Sequence, residues 1–244
     1  MPTIHFVLQG KGGVGKSMIA AILYQTIEAL GHEVKAFDTD PVNATLKGFK
    51  DFKEVTSVNL LAPDGNIDSR LFDGLINKLE DMPEDIHIIV DNGASSFVTL
   101  GSYMKASDTI ETIEEELGYT VYFHTVITGG QALVDTLNGF SNLVEAFPSS
   151  RLVVWLNPFF GAIEIDGKSF VDFKVAKEHE ENIHAIIELP MGNKDLIGKD
   201  IEQMLARRMS FYSAINSSGQ IAVRSRLKKY WKTILNYVER ANFC

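Results

Sequence analysis

Cysteine is almost missing from this chain: Cys244, its last residue, is the only one in 244. No intrachain disulfide can form, and a reducing compartment is expected. Long apolar runs are missing too, none approaching the ~20 residues of a membrane-spanning helix. The first residues show no basic stretch followed by a long apolar run, and strand-like sequence begins at Thr3. These absences point to a cytoplasmic protein, with any contact to the inner membrane peripheral and made through partners. Positive charge is scarce: 23 Lys and Arg against 32 Asp and Glu give a formal net charge of -9. Broad electrostatic attraction to nucleic acid is thereby disfavoured, leaving room only for a local basic face. Internal repeats, low-complexity tracts and linkers are also lacking, so residues 1–244 are expected to form one domain.

What the sequence has is alternation. Strand-like apolar runs are expected at Ile4–Leu8, Glu33–Phe37, Val55–Leu61, Ile86–Val90, Val121–Ile127, Leu152–Leu156 and Ile183–Leu189. Several, such as "IIV" and "LVVWL", are apolar at consecutive positions, as strands covered on both faces of a parallel sheet should be. Helical patterns lie between them at Ser17–Leu30, Ser69–Leu79, Gln131–Ala146 and Lys194–Arg208. The alternation predicts an α/β fold, a doubly wound, mainly parallel sheet with helices on both faces.

Two charge features are local. Five acidic residues and no basic one lie between Asp108 and Glu116, which reads as a solvated helix face. Six Lys and Arg lie between Val223 and Arg240, where Leu227, Tyr230, Trp231, Ile234, Leu235 and Val238 share a helical stripe. A basic amphipathic helix is expected over 220–242, packed on the domain or, alternatively, laid on DNA or an anionic membrane.

The sharpest motif is "VLQGKGGVGKSM", Val7–Met18. Gly10, Gly15, Lys16 and Ser17 satisfy the phosphate-loop pattern G-x-x-x-x-G-K-[ST], after an apolar strand and before a helical stretch. Glycines at 10, 12, 13 and 15 let backbone N–H groups turn toward phosphate oxygens, and the helix N-terminus adds partial positive charge. Gly10, Gly12, Gly13, Val14, Gly15, Lys16, Ser17 and Met18 are the expected nucleotide-binding segment. Lys16 suits the β- and γ-phosphates, and the Ser17 hydroxyl suits a Mg²⁺ shell.

Asp38, Asp40 and Asp91 each follow an apolar strand, at the carboxyl edge where open α/β sheets bind ligands. Asp91 suits an outer ligand of Mg²⁺ and its waters, and Asp38 can support the same shell. A turn or cap role is the alternative for all three, Asp40 standing just before Pro41. Asn157 carries a carboxamide that can donate and accept on the polar edge of adenine, or else cap the turn at Pro158.

The stretch "GKGGVGKS" resembles the deviant Walker A motif, K-G-G-x-x-K-[ST], of ParA/MinD-type P-loop ATPases. "FDTDPVNAT" is similar to the family's D-x-D segment, "IHIIVDNG" to its Walker B strand and "VITGGQALVDT" to its V-T-x-P-E segment. "LVVWLNP" is similar to the strand carrying its adenine-reading asparagine, and "IIELP" to its late strand ending in proline. The resemblance covers nearly the whole chain, and several segments look like a plasmid conjugal-transfer member of the class. It implies ATP and ADP as ligands with Mg²⁺, an ATP-dependent homodimer, slow hydrolysis to ADP and phosphate, and protein partners in the conjugation machinery. It also implies that Asp40 orients the attacking water, that Pro190 lies beside adenine, and that Lys11 crosses to the facing subunit's phosphates as an arginine finger does.

Three departures from the family stand out. Asn92 and Gly93 follow Asp91 where Thr or Ser and then Pro are usual, which bears on turnover. Gly129 and Gly130 replace Pro-Glu, and Pro158 replaces an arginine. Rival functions are a partition-like protein positioned on DNA or membrane, a small-molecule kinase, and a nucleotide-binding regulatory module with little hydrolysis. Ser95 and Ser96 lack the second glycine of a nucleophile elbow. His5, His87, His124, His179 and His184 show no zinc-like spacing, and Trp155 reads as core.

Overall fold

The computed structural model describes residues 1–40 and 43–243; Pro41, with the turn expected there, Val42 and Cys244 lie outside the described residues. The strands are β1 (Thr3–Val7), β2 (Glu33–Asp38), β3 (Val55–Ser57), β4 (Ile86–Asp91), β5 (Thr120–Thr128), β6 (Arg151–Asn157), β7 (Glu164–Ile165), β8 (Lys168–Ser169) and β9 (Ile183–Glu188). Seven of them form one sheet in the order β3-β2-β4-β1-β5-β6-β9, every pair parallel, while β7 and β8 make a separate antiparallel hairpin. The helices are α1 (Lys16–Ala29), α2 (Asp73–Ile76), α3 (Phe97–Ala106), α4 (Thr109–Glu115), α5 (Leu133–Ala146), α6 (Lys174–Glu178), α7 (Lys199–Ala206), α8 (Phe211–Ser217) and α9 (Ile221–Ala241). This is the expected doubly wound parallel sheet.

Both faces of the sheet are covered, which is why its strands are apolar at consecutive positions. Ile4, Phe6 and Leu8 pack with Phe123, Phe140 and Leu152 on one side. Val7 and Trp155 pack with Ile19, Leu23, Leu227 and Ile234 on the other. Helix α9 therefore belongs to the core: Leu227, Ile234 and Val238 are buried, each contributing about 1.5–3 kcal/mol of apolar transfer. Arg226 pairs with Asp200 of α7 at 2.5 and 3.1 Å, leaving Lys228, Lys229 and Lys232 exposed.

Three expected elements come out shorter or broken. The strand expected over Val55–Leu61 stops at Ser57, because Asn59 Oδ1 accepts the Leu61 N–H at 3.0 Å and turns the chain. The helix expected over Ser69–Leu79 is a single α turn, α2, between two 3-10 turns; Gly74 sits inside it and weakens propagation. The helix expected over Lys194–Arg208 begins as a π turn at Lys194–Gly198 and is α-helical only over α7. The acidic stretch is α4, which buries Ile110 and Ile113 and exposes Glu111 and Glu115.

The topology puts the candidate residues together. Asp38 and Asp91 end neighbouring strands in register, and Val7, the last residue of β1, is in register with Asp91 on its other side. The loop after Val7 therefore opens beside both carboxylates. Asn157 ends β6 in register with Thr128 of β5.

Candidate nucleotide-binding site

The loop turns sharply at Gly13 (φ 75°) and Gly15 (φ 109°), left-handed positions that favour glycine. Helix α1 starts at Lys16 with no side-chain cap, so its first N–H groups remain available for an anion. The Lys16 ammonium is largely buried and donates to the Lys11 carbonyl at 3.1 Å, inside the loop. Burial lowers its pKa, while the charges of Asp91 and Asp40 oppose that shift.

Asp91 is wholly buried, and neither carboxylate oxygen has a hydrogen-bond partner of good geometry among the described residues. Burial pushes its pKa up to about 7; Asp38 adds to the rise, and the Ser17 hydroxyl and Lys16 oppose it. An orphaned buried carboxylate is costly. Asp91, Asp38 and the Ser17 hydroxyl make an all-oxygen donor set, which suits Mg²⁺.

The other carboxylates already have partners. Asp38 Oδ1 accepts the Asp40 N–H at 3.2 Å and Oδ2 accepts the Lys47 N–H at 2.9 Å, so it caps the loop after β2. Asp40 Oδ1 accepts the Asn43 N–H at 2.9 Å. Asp40 also lies against Gly93, where an added Cβ would come within 3.0 Å of its Cγ and 3.2 Å of its Cα. Asn92 ties the segments after β2 and β4 together: its Oδ1 accepts from the Thr39 hydroxyl at 3.1 Å and the Ser96 hydroxyl at 2.9 Å. Sequence reasoning saw Asn92 only as a departure; its bridging role depends on β2 and β4 being neighbours.

Beside the loop is a cavity of about 210 Å³ lined largely by apolar groups. Gly13, Gly15, Met18, Asn157 and Pro190 all reach it. Asn157 Nδ2 donates to the Val14 carbonyl at 2.9 Å and its Oδ1 accepts the Phe159 N–H at 3.2 Å. It therefore joins β6 to the loop and caps the next turn, with one N–H and one lone pair still to offer. Phe159, Ile197, Ile201, Leu205 and Tyr230 also line it and were not legible as site residues, because three separate segments supply them. Lys194 Nζ stands 5.6 Å over the Phe159 ring at the rim.

Lys11 points elsewhere. Its Nζ pairs with Asp135 of α5 at 2.7 Å, both side chains about half exposed, and its N–H meets Gln9 Oε1 at 3.4 Å. Gln9 is buried and anchored to the carbonyls of Val126 and Thr136. The Gly129-Gly130 departure has a steric cause. A Cβ on Gly129 would lie 2.2 Å from the Gly161 carbonyl oxygen, and one on Gly130 would lie 2.7 Å from that of Phe160. The chain after β6 packs backbone to backbone against this corner.

Comparison with known proteins agrees with this geometry. Residues 5–239 match the family model described as the CobQ/CobB/MinD/ParA nucleotide binding domain. The chain is 44% identical to Protein TraL of Escherichia coli over 230 residues, 93% of each chain. Its fold is similar to the MinD cell division protein of Aquifex aeolicus (TM-score 0.55, 14% identity, 96% of this chain and 97% of that one). It is similar as well to the septum site-determining protein MinD of Pyrococcus horikoshii, solved with Mg-ADP (TM-score 0.54, 16% identity, 96% of each chain). The chain belongs to the CobQ/CobB/MinD/ParA nucleotide-binding family.

Proposed function

We propose that this protein is a Mg²⁺-dependent ATPase that works as a slow, ATP-gated homodimeric switch in plasmid conjugal transfer, acting through protein partners. The observation that carries the reading is Asp91, a buried carboxylate without a hydrogen bond of good geometry among the described residues, set beside Lys16, Ser17 and an uncapped helix N-terminus. The conjugal-transfer setting is supported by the 44% identity to TraL.

Lys16 neutralises β- and γ-phosphate charge, and the loop N–H groups hold the phosphate oxygens. Ser17, Asp91 and Asp38 would hold Mg²⁺, which supplies charge neutralisation across the phosphates. Asp40 orients the attacking water. Asn157 and Pro190 meet the base in the apolar cavity. Lys11 leaves Asp135 and neutralises charge on the facing subunit's transferring phosphoryl group, so dimerisation and ATP binding favour each other.

ATP binding, oligomeric mass and phosphate release should be measured for Lys11→Ala, Lys16→Ala and Asp40→Ala. Lys16→Ala loses nucleotide binding. Asp40→Ala binds and dimerises but does not turn over. Lys11→Ala binds ATP as a monomer; if it dimerises and hydrolyses normally, the role in trans is wrong.

A further inference from the structure

Five of the six histidines meet on one face of the sheet, and three of them form a buried hydrogen-bonded row. Trp155 Nε1 lies 3.0 Å from His124 Nδ1, His124 Nε2 lies 3.0 Å from His5 Nδ1, and His5 Nε2 lies 3.1 Å from His87 Nδ1. Trp155, His124 and His5 are fully buried, and His87 is 5% exposed.

The indole fixes every proton in this row. It can only donate, so His124 Nδ1 must be bare and its Nε2 must carry the hydrogen. That hydrogen meets His5 Nδ1, which must then be bare, and the same step repeats at His87. One neutral arrangement satisfies all three bonds: each ring is the Nε2–H tautomer. A further proton has no place. On any Nδ1 it sets a donor against a donor, and reversing the row moves that clash to Trp155. Burial also holds all three rings below the usual histidine range, His87 at about 4 and His124 at about 3.

The row is covered by the end of α9. Phe243, 4% exposed, packs on the rings of His124 (5.1 Å), His5 (5.6 Å) and Tyr122 (5.9 Å). Asn242 turns the chain there with φ 52°, and His184 Nε2–H donates to the Ala241 carbonyl at 2.9 Å. We propose that the row is an acid-sensitive clasp: it retains the Ala241–Phe243 segment only while all three rings are uncharged. A charged ring would break a hydrogen bond and demand water, and water reaches the row by lifting Phe243. The ionisable groups around it are His32 beside His87, the Met1 amine paired with Asp85, Tyr122, and His184. Among the described residues no carboxylate is hydrogen-bonded to any of the three rings, so nothing there would stabilise an imidazolium.

Phe243 is replaced by para-fluorophenylalanine in the full chain, and the mobility of this label is followed by fluorine NMR from pH 7.5 to 3 alongside far-UV circular dichroism. The label should become mobile at higher pH than the loss of helix. Nitrogen-15 histidine spectra at pH 7 should show all three rings neutral and Nε2-protonated. His5→Gln/His124→Gln keeps a donor and an acceptor at each position but takes no proton beneath Phe243. In it, release should move down by about one pH unit or merge with unfolding. An Nδ1–H or charged ring at pH 7, or a label freed only together with helix loss, overturns the proposal. The two wild-type measurements decide it even if the double variant does not fold.

Discussion

Asp91 and His5 are both fully buried on central strands of the same sheet, yet they sit in opposite conditions. Among the described residues Asp91 has no hydrogen-bond partner of good geometry on either oxygen, whereas His5 has one on each nitrogen. Folding does not keep an unpaired carboxylate buried for stability's sake, since the position costs free energy until something pairs with it. The histidine row is self-sufficient and refuses a further proton. The carboxyl edge of the sheet is thus built to receive a ligand, and the histidine row a few residues back along the same strands is built to exclude one.

The contrast can be broken most severely at Lys16. Lys16→Ala should weaken ATP binding at least about 100-fold by calorimetry, since the proposed function gives this largely buried ammonium a charge-assisted phosphate contact. The next largest effect is on stability, and the two regions have opposite pH signs. The folded pKa of Asp91, about 7, lies above its ordinary 3.8. Between those values the folded chain holds a proton that the unfolded chain has lost. Stability therefore falls as pH rises from about 4 to about 7 and stays lower above it. Asp91→Asn should remove this penalty, about 4 kcal/mol, and raise the melting temperature of the ligand-free protein at pH 8. The histidines run the other way. Their folded pKa values lie below 6.5, so the unfolded chain binds more protons and stability falls as pH drops from about 7 toward 3. In Asp91→Asn the histidine slope should be opposed only by the smaller contribution of Asp38, whose pKa is also raised by burial, in thermal melts between pH 4 and 7.

Gly93→Ala should act by geometry. The new Cβ would press on Asp40, so phosphate release should fall about tenfold while ATP binding stays within a factor of three. The smallest effect is expected at α9: replacing the exposed Lys228, Lys229 and Lys232 by Ala should leave melting temperature and ATP affinity nearly unchanged.

How much of this could be read from sequence depended on how far apart the cooperating residues lie. The phosphate loop is contiguous, and Asp91 announces itself as an acid at the end of an apolar run. The sheet could be read from runs such as "LVVWL". The histidine row could not, because His5, His87 and His124 lie more than 80 residues apart in succession of bonds, 82 and 119, and meet only through strand order. Trp155 read as core, which is true of its burial but silent about its N–H. Gly129 and Gly130 looked like a weakened motif until the packing of Phe160 and Gly161 supplied their reason. The apolar cavity beside the loop was half legible, through Asn157 and Pro190, while Tyr230 arrives from α9.

The most direct test of the account is calorimetric titration of ATP into wild type and Asp91→Asn, each with Mg²⁺ and with a chelator, at pH 8. Wild type should bind ATP more tightly with Mg²⁺, and Asp91→Asn should bind it equally with and without the metal. If Asp91→Asn keeps the full Mg²⁺ enhancement, the orphaned carboxylate is not there to complete a Mg²⁺-nucleotide site.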